Sequence, residues 1–227
     1  MQAVILAAGE GLRLKPVTET IPKCLLKVGK KTILENTLFQ LPKEVGEVII
    51  VVGHLKSKIK SHIGNNWNGR NIKYVEQTER LGTGHALFTA KDSLRDGKFI
   101  VLMGDNLYLR KDVENCLRHD LAILAQKIEN PERFGIIKTD GNNLESITET
   151  QEVSQDTLIN CGLYVLDKRI FDYPMVEIGK KEYGLPQTIA KMAKRYPVVI
   201  EKATFWMPIN DLQDLKQADK YIKQIYL

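Results

Sequence analysis

Two glycines and two cations stand close together near the start of the chain: Gly9, Gly11, Arg13 and Lys23. Without a Cβ, Gly9-Glu10-Gly11 can turn sharply and bring backbone N–H groups against a ligand, and a nest of such donors suits an anion with several oxygens. Arg13 and Lys23 would add fixed positive charge to the same anion. A bare Gly-x-Gly is equally the ordinary end of a strand, so the residues downstream must decide. Two other phosphate-binding arrangements fail on identity. Leu14 occupies the third glycine of a dinucleotide fingerprint, and Gly29-Lys30 is followed by Lys31 rather than Ser or Thr, with Cys24 where a P-loop begins.

A second constellation is Met103-Gly104-Asp105-Asn106. A carboxylate after a strand, preceded by glycine for close approach, is placed to hold a cation bridging phosphate oxygens. Mg²⁺ commonly takes one or two protein carboxylates and completes its shell with substrate phosphates. A lone Gly-Asp is a common turn, and its weight comes from its place behind the first motif.

The elements that must position these groups read as a βαβ series. Ala3–Ala8 is a buried strand. Thr32-Ile33-Leu34-Glu35 is a capping box opening a helix with Ile33, Leu34, Leu38 and Leu41 inward. Glu47–Val52 is a strand, and a helix carrying Leu55, Ile59 and Ile63 stops at Gly64. Ile72–Glu76 and Phe99–Met103 are strands flanking a helix over Gly84–Leu94. After Asp105, Leu121–Ile128, Phe134–Lys138, Leu144–Glu149 and Leu158–Leu166 read as strands with short turns, Asp140-Gly141-Asn142-Asn143 being a hairpin signal. A helix near Leu185–Arg195, a strand Val198–Glu201 and an amphipathic helix with Leu212, Leu215, Ala218, Ile222 and Ile225 inward close the chain. The fold class expected is α/β: a Rossmann-like, mostly parallel sheet with an inserted mixed or antiparallel part. One domain is expected over residues 1–227, in two halves, 1–110 and 111–227.

Ala3–Leu26 resembles the signature of the sugar-1-phosphate nucleotidyltransferases, L-A-[AG]-G-x-G-x-R-[LM] followed by P-K-x-L. The spacing of Arg13 and Lys23 is similar to that in the hexose-1-phosphate members, the thymidylyltransferases and guanylyltransferases. Gln77-Thr78-Glu79-Arg80-Leu81-Gly82-Thr83-Gly84-His85-Ala86 resembles the family's nucleobase loop. The resemblance implies a GT-A-like nucleotidyltransferase fold with 1–110 as a nucleotide-binding half and 111–227 as a sugar-binding half, nucleotide contacts at Leu6, Ala8, Gly9, Gly11, Gln77, Gly82 and Thr83, catalytic roles for Arg13, Lys23 and Asp105, and Asp105 as first ligand of Mg²⁺. A Gln amide carries donor and acceptor, which fits thymine or uracil, while guanine presents a comparable edge. The guanylyltransferases tend to carry Glu at the position of Gln77, so the resemblance leans to dTTP or UTP. His85 is read as packing or a backbone hydrogen bond.

The chain departs from the thymidylyltransferases at Trp206-Met207-Pro208-Ile209-Asn210-Asp211, where Pro208 replaces an aspartate. Asn210-Asp211 instead resembles the asparagine pair of the acetylglucosamine uridylyltransferases, which implies Asn210 as second metal ligand; the alternatives are Asp211, or Asn210 as a helix cap only. Glu132-Arg133-Phe134-Gly135, Ile147-Thr148-Glu149 and Asn160-Cys161-Gly162 resemble the sugar-side motifs, implying sugar contacts at Gly135, Glu149 and Asn160. The lysine that usually follows the glutamate is absent, with Thr150 and Gln151 there, and Lys168 is a weak substitute.

The implied reaction joins a sugar 1-phosphate to a pyrimidine nucleoside triphosphate, releasing pyrophosphate. A GTP-using mannose-1-phosphate guanylyltransferase and a non-catalytic regulatory subunit binding nucleotide sugar are the alternatives. Thirty-three basic against 28 acidic residues among 227 give a net charge of +5, which suits an anionic substrate but is too diffuse for a nucleic-acid partner. Cys24, Cys116 and Cys161 form no close pair and encode neither disulfide framework nor zinc site. Cys24, beside Lys23, is read as a buried structural thiol rather than a reactive one. No apolar run approaches the ~18 residues of a membrane span, so the expectation is a cytoplasmic protein without membrane or nucleic-acid partners. A homo-oligomer is left open.

Overall fold

The computed structural model describes residues 1–128, 134–148 and 157–225, with side chains to Ile222 in the last helix. The first apolar run forms β1 (Gln2–Ala7), every residue of which is buried. It is followed by β2 (Glu47–Val52), a short β3 (Asn66–Trp67), β4 (Arg70–Glu76) and β5 (Phe99–Met103). β1 runs parallel to β2 on one side and to β5 on the other, with Leu6 registered against Val51 and Met103. The chain winds outward from β1 through β2 to β4, then returns to place β5 on β1's other flank. That reversal opens a crevice beyond the carboxyl ends of β1 and β5, where ligands sit in open α/β sheets.

Burial on both faces explains why β1 and β2 are continuous apolar runs rather than alternating ones. Ala3, Ile5 and Ala7 join Leu34 and Leu38 of α1 (Ile33–Gln40) in one core layer. Val4, Leu6 and Ala8 join Ala86 and Leu87 in the other. The capping box forms as expected: Glu35 N–H donates to Thr32 Oγ1 at 3.1 Å, and Thr32 N–H donates to Glu35 Oε2 at 2.6 Å. The next helix, α2 (Lys56–Ile63), stops at Gly64. The helix expected to reach Leu94 is shorter: α3 (Gly82–Thr89) gives way to a 3₁₀ turn over Lys91–Ser93, which still delivers Leu94 to the core.

β6 (Asn106–Tyr108) and α4 (Arg110–Cys116) lead into β7 (Ala122–Lys127), β8 (Ile136–Asp140), β9 (Asn143–Thr148) and β10 (Leu158–Leu166). β8 and β9 form the expected hairpin around Gly141-Asn142. β10 inserts antiparallel between β5 and β7. A hairpin of β11 (Val176–Gly179) and β12 (Glu182–Gly184) precedes α5 (Leu185–Ala193), β13 (Val199–Lys202), β14 (Trp206–Pro208) and α6 (Leu212–Ile225). Among the described residues the main sheet has ten strands, ordered β8-β9-β13-β7-β10-β5-β1-β2-β4-β3. Its β1 side is parallel apart from the edge strand β3, and the inserted side is mixed, as the α/β reading requires.

On α6, Ala218 and Ile222 are buried and Leu215 packs beside them, but Leu212 is exposed, contrary to expectation. It stands in the first turn, where the helix begins at the surface. The side chain of Ile225 lies outside the described residues. Among those residues no helix is long and apolar enough to cross a membrane, and all three cysteines are free and buried.

The amino-terminal edge of β2 carries a polar lock. Glu47 is buried and accepts from Gln2 Nε2 at 2.6 Å and Asn71 Nδ2 at 2.8 Å, with Lys73 Nζ at 3.1 Å. Burial pushes this carboxyl up, but the hydrogen bonds from Lys73, Asn71 and Gln2 outweigh it and hold the pKa at about 2. A carboxylate depressed on folding stabilises the native state above its unfolded pKa of ~4.3 and loses that contribution as pH falls toward 2. The contribution is on the order of 3 kcal/mol. Urea unfolding from pH 2 to 6 should therefore show a steeper loss of stability in the unaltered protein than in Glu47→Gln; parallel curves would remove Glu47 from the acid transition.

Candidate active site

The crevice holds a cavity of about 490 Å³, within the range of small-molecule sites. Its walls bring together most of the residues singled out in the sequence. Leu6 of β1 and Ala8, Gly9, Gly11 and Arg13 beyond it line the cavity, as do Gln77 just after β4 and Gly82 and Thr83 at the start of α3. Lys23, Asp105 and Asn210 complete it.

The glycine loop is held from beneath. Gly11 has φ +66°, a left-handed conformation that favours glycine, and its carbonyl accepts from Thr18 Oγ1 at 2.8 Å. Leu14, fully buried, anchors the far end of the loop against Leu26, Ile33 and Ile209. Burying one such side chain contributes about 1.5–3 kcal/mol, enough to bias the loop toward one conformation before a ligand arrives. Arg13 projects from this anchored turn at the exposed mouth.

Lys23 and Asp105, distant in sequence, meet at 2.5 Å between Nζ and Oδ2. The lysine side chain is 14% exposed and the carboxylate 37%, so both remain reachable from the cavity. The Asp105 turn is tied on both sides. Met103 N–H and Asn106 Nδ2 each donate to the buried Tyr108 hydroxyl, which donates to the carbonyl of Cys161 or Gly162. Asn210 arrives because β14 pairs antiparallel with β6, Pro208 opposite Asn106, after which Ile209 N–H donates to the Asp105 carbonyl at 3.0 Å. The cap of α6 is Asp211, whose Oδ1 accepts from Gln213 N–H at 2.9 Å and Asp214 N–H at 3.0 Å. Asn210 is thereby left to face the cavity.

The metal-binding expectation meets a sparse donor set. No group of three or more His, Cys, Asp or Glu able to hold a metal occurs among the described residues. One carboxylate and one amide oxygen on the same wall fit a cation that takes its other oxygens from substrate phosphates and water, as Mg²⁺ does. They do not fit a self-sufficient protein cage. The ammonium of Lys23 already sits on Asp105, so this carboxylate faces cationic charge without any ligand.

Gly135 and Asn160 meet each other, the Asn160 N–H donating to the Gly135 carbonyl at 3.0 Å, but neither lines the cavity. The Asn160 side chain is engaged within β10, accepting from Gly162 N–H at 3.0 Å and donating to Tyr164 Oη at 2.7 Å. Glu149, with Glu132, Arg133, Thr150 and Gln151 of the neighbouring motifs, lies outside the described residues. Lys168 pairs with Asp96 on the surface, away from the cavity lining. Burial, and secondarily the charge of Asp105, push the Cys24 thiol up to about 12. It is the inert structural thiol expected.

Sequence reasoning missed Glu10, Arg80, Met103 and Glu182, all of which line the cavity. Glu10 and Arg80 form an ion pair that joins the loops after β1 and β4 across the crevice. Opposite charges in two loops expected to face each other were the available signal. Such exposed pairs are worth about 0–1 kcal/mol, so an entering ligand can separate this one.

The loop after β4 is gripped by the β11–β12 hairpin: Tyr183 N–H donates to the Leu81 carbonyl at 2.8 Å. At Gly82, φ is +84°, and a Cβ would stand 2.6 Å from the Tyr183 carbonyl oxygen and 2.9 Å from its nitrogen. Gly82→Ala should thus cost more than the ~1–2 kcal/mol of left-handed backbone strain alone. Gly141→Ala, at φ +57° with nothing within 4 Å of its Cβ, isolates that backbone contribution. Thermal unfolding of the two variants compares them; equal losses would mean that the close approach to Tyr183 is not what requires glycine.

The chain matches the nucleotidyl transferase family over residues 2–225. It is 34% identical over 228 residues to the bifunctional protein GlmU of Methanocaldococcus jannaschii, covering 98% of this chain and 54% of that protein. It thus spans about half the length of that curated relative. The UTP–glucose-1-phosphate uridylyltransferase AglF of Haloferax volcanii is 34% identical over 182 residues, covering 75% of this chain and 74% of AglF. In fold, a Bacillus anthracis protein named provisionally as a glucose-1-phosphate thymidylyltransferase, solved with a sucrose, superposes with a TM-score of 0.88 at 23% identity, over 99% of this chain and 96% of that one. This chain belongs to the nucleotidyl transferase family.

Proposed function

We propose that the protein condenses a sugar 1-phosphate with UTP or dTTP, giving a nucleotide sugar and pyrophosphate. The observation that carries this reading is the convergence of the glycine loop, Lys23 and Asp105 in one cavity that Gln77 also lines. The relationship to AglF favours UTP and a hexose 1-phosphate.

A phosphate oxygen of the sugar phosphate attacks the α-phosphorus in line. The new P–O bond forms as the bond to the bridging oxygen breaks, and pyrophosphate leaves. A phosphomonoester with a second pKa of about 6 is already largely dianionic at neutral pH, so no general base is needed, and none is assigned. Mutual repulsion of the two anions is the main obstacle. A unit positive charge about 4 Å from a phosphate charge is worth roughly 4 kcal/mol at an effective dielectric of ~20. Arg13 and Lys23 supply such charges, while N–H groups of the Gly9–Gly11 loop orient phosphate oxygens. Bound Mg²⁺, held by Asp105 and Asn210, would supply further Lewis-acid neutralisation of the phosphates. The sugar is assigned, from the motif resemblance, to the side of Gly135, Glu149 and Asn160.

Pyrophosphate release with UTP, dTTP, CTP, ATP and GTP against a panel of sugar 1-phosphates, with Mg²⁺ and with chelator, tests the proposal. Turnover is expected with UTP or dTTP only, and only with metal. Release restricted to GTP would replace the pyrimidine reading. Nucleotide-sugar binding without any turnover would establish a regulatory protein instead.

A further inference from the structure

Gln77 is buried, and its amide is not free to choose which end it shows the cavity. Nε2 donates to the Gly82 carbonyl at 3.1 Å and lies 3.1 Å from Nδ1 of His85. A carbonyl oxygen can only accept, so the NH₂ end must face Gly82. Its second hydrogen then points to His85, whose Nδ1 accepts and whose ring proton resides on Nε2. Both donors of the amide are engaged inside the loop. Only Oε1 remains for a ligand, in a residue that lines the cavity. The sequence suggested a Gln offering donor and acceptor together; the folded loop withdraws the donor.

We propose that His85 is a specificity-positioning residue: by accepting from Gln77 Nε2 it locks the amide so that Gln77 offers the base an acceptor only. The inference rests on reading Gln77 as the residue facing the base. Uracil and thymine carry N3–H, a donor that Oε1 satisfies. Cytosine carries an unprotonated N3 at the same edge, so its lone pair would oppose Oε1. An amide flips with little change in shape, and a flipped Gln77 would instead offer its NH₂ to cytosine. The Gly82 carbonyl resists that flip because it cannot donate, and His85 resists it while its ring proton stays on Nε2. One neutral hydrogen bond contributes a factor of about tenfold at most, so losing His85 should erode the preference while Gly82 preserves part of it.

The test is equilibrium binding of UTP and CTP with Mg²⁺, by calorimetry, to the unaltered protein, His85→Phe and His85→Asn. The unaltered protein is expected to prefer UTP. His85→Phe, which cannot accept, should narrow the UTP-to-CTP affinity ratio by up to about tenfold. His85→Asn, whose Oδ1 can take the place of Nδ1, should keep the ratio close to the original. ¹⁵N spectra of the unaltered protein should show His85 protonated at Nε2 and bare at Nδ1, a readout independent of whether the variants fold. A proton on Nδ1, an unchanged ratio in His85→Phe, or no preference for UTP in the unaltered protein would each overturn the inference. Preference for UTP without pyrophosphate release would defeat the proposed transfer reaction while leaving the role of His85 standing.

Discussion

Lys23→Ala is expected to lower kcat by roughly 10²–10³, the scale of losing one preorganised electrostatic donor. The ammonium stands 2.5 Å from Asp105 and the lysine side chain is 14% exposed, at the wall of a cavity that the glycine loop also lines. Partial removal from water makes a fixed charge count for more than it would at the surface. If Lys23 acts mainly on charge that changes during transfer, kcat and kcat/KM should fall together; a rise in KM alone would assign it to ground-state binding. The fold should tolerate the change, because Asp105 at 37% exposure stays solvated when its partner is gone. Steady-state rates and a thermal unfolding curve on the same preparation separate the two effects. A near-normal rate would remove Lys23 from the mechanism.

The features legible in the sequence are those set by neighbours in the chain. The β1 run, the Thr32–Glu35 box and the stop at Gly64 are decided within a few residues, and all three appear as expected. The loops that line the cavity were legible too, because the glycine loop, the Gln77 segment and the Asp105 turn each follow directly on a strand end. What was not legible depends on contacts distant in sequence. The β11–β12 hairpin carries no Asn-Gly or Asp-Gly turn; Lys180 and Lys181 adopt positive φ instead, at 52° and 60°. Its role depends on Tyr183 meeting Leu81, a hundred residues earlier. The insertion of β10 beside β5 likewise leaves no local trace.

Side-chain roles show the same division. Asn210 was readable as a ligand or a cap; the cap falls to its neighbour Asp211, while Asn210 lines the crevice. The Asn160-Cys161-Gly162 motif reads as a sugar contact, yet in the folded chain its carbonyls also accept from Tyr108 and fasten the Asp105 turn. A motif defines which residues recur together, while hydrogen-bond partners decide which atom of each remains available.

Asp105→Asn tests the other half of the ion pair, and its expected loss is larger than that of Lys23→Ala. The amide preserves shape and can still accept from Lys23 through its oxygen, so the turn fixed by Tyr108 should persist. What disappears is the charge of the carboxylate proposed to hold the metal. Asn210 contributes only a neutral oxygen, so little remains to replace it. Metal-assisted charge stabilisation is worth several kcal/mol, and a drop of at least about 10³ in kcat at ordinary Mg²⁺ follows, since each ~1.4 kcal/mol is tenfold. The magnitude alone would not distinguish a lost metal from a disturbed Lys23. A Mg²⁺ titration does: in Asp105→Asn half-saturation should move to much higher metal concentration, whereas in Lys23→Ala it should stay near its original value or move lower, because a competing cation has been removed from the carboxylate. An unchanged metal dependence in Asp105→Asn would leave Asp105 as a partner of Lys23 only, and the metal would have to be held elsewhere.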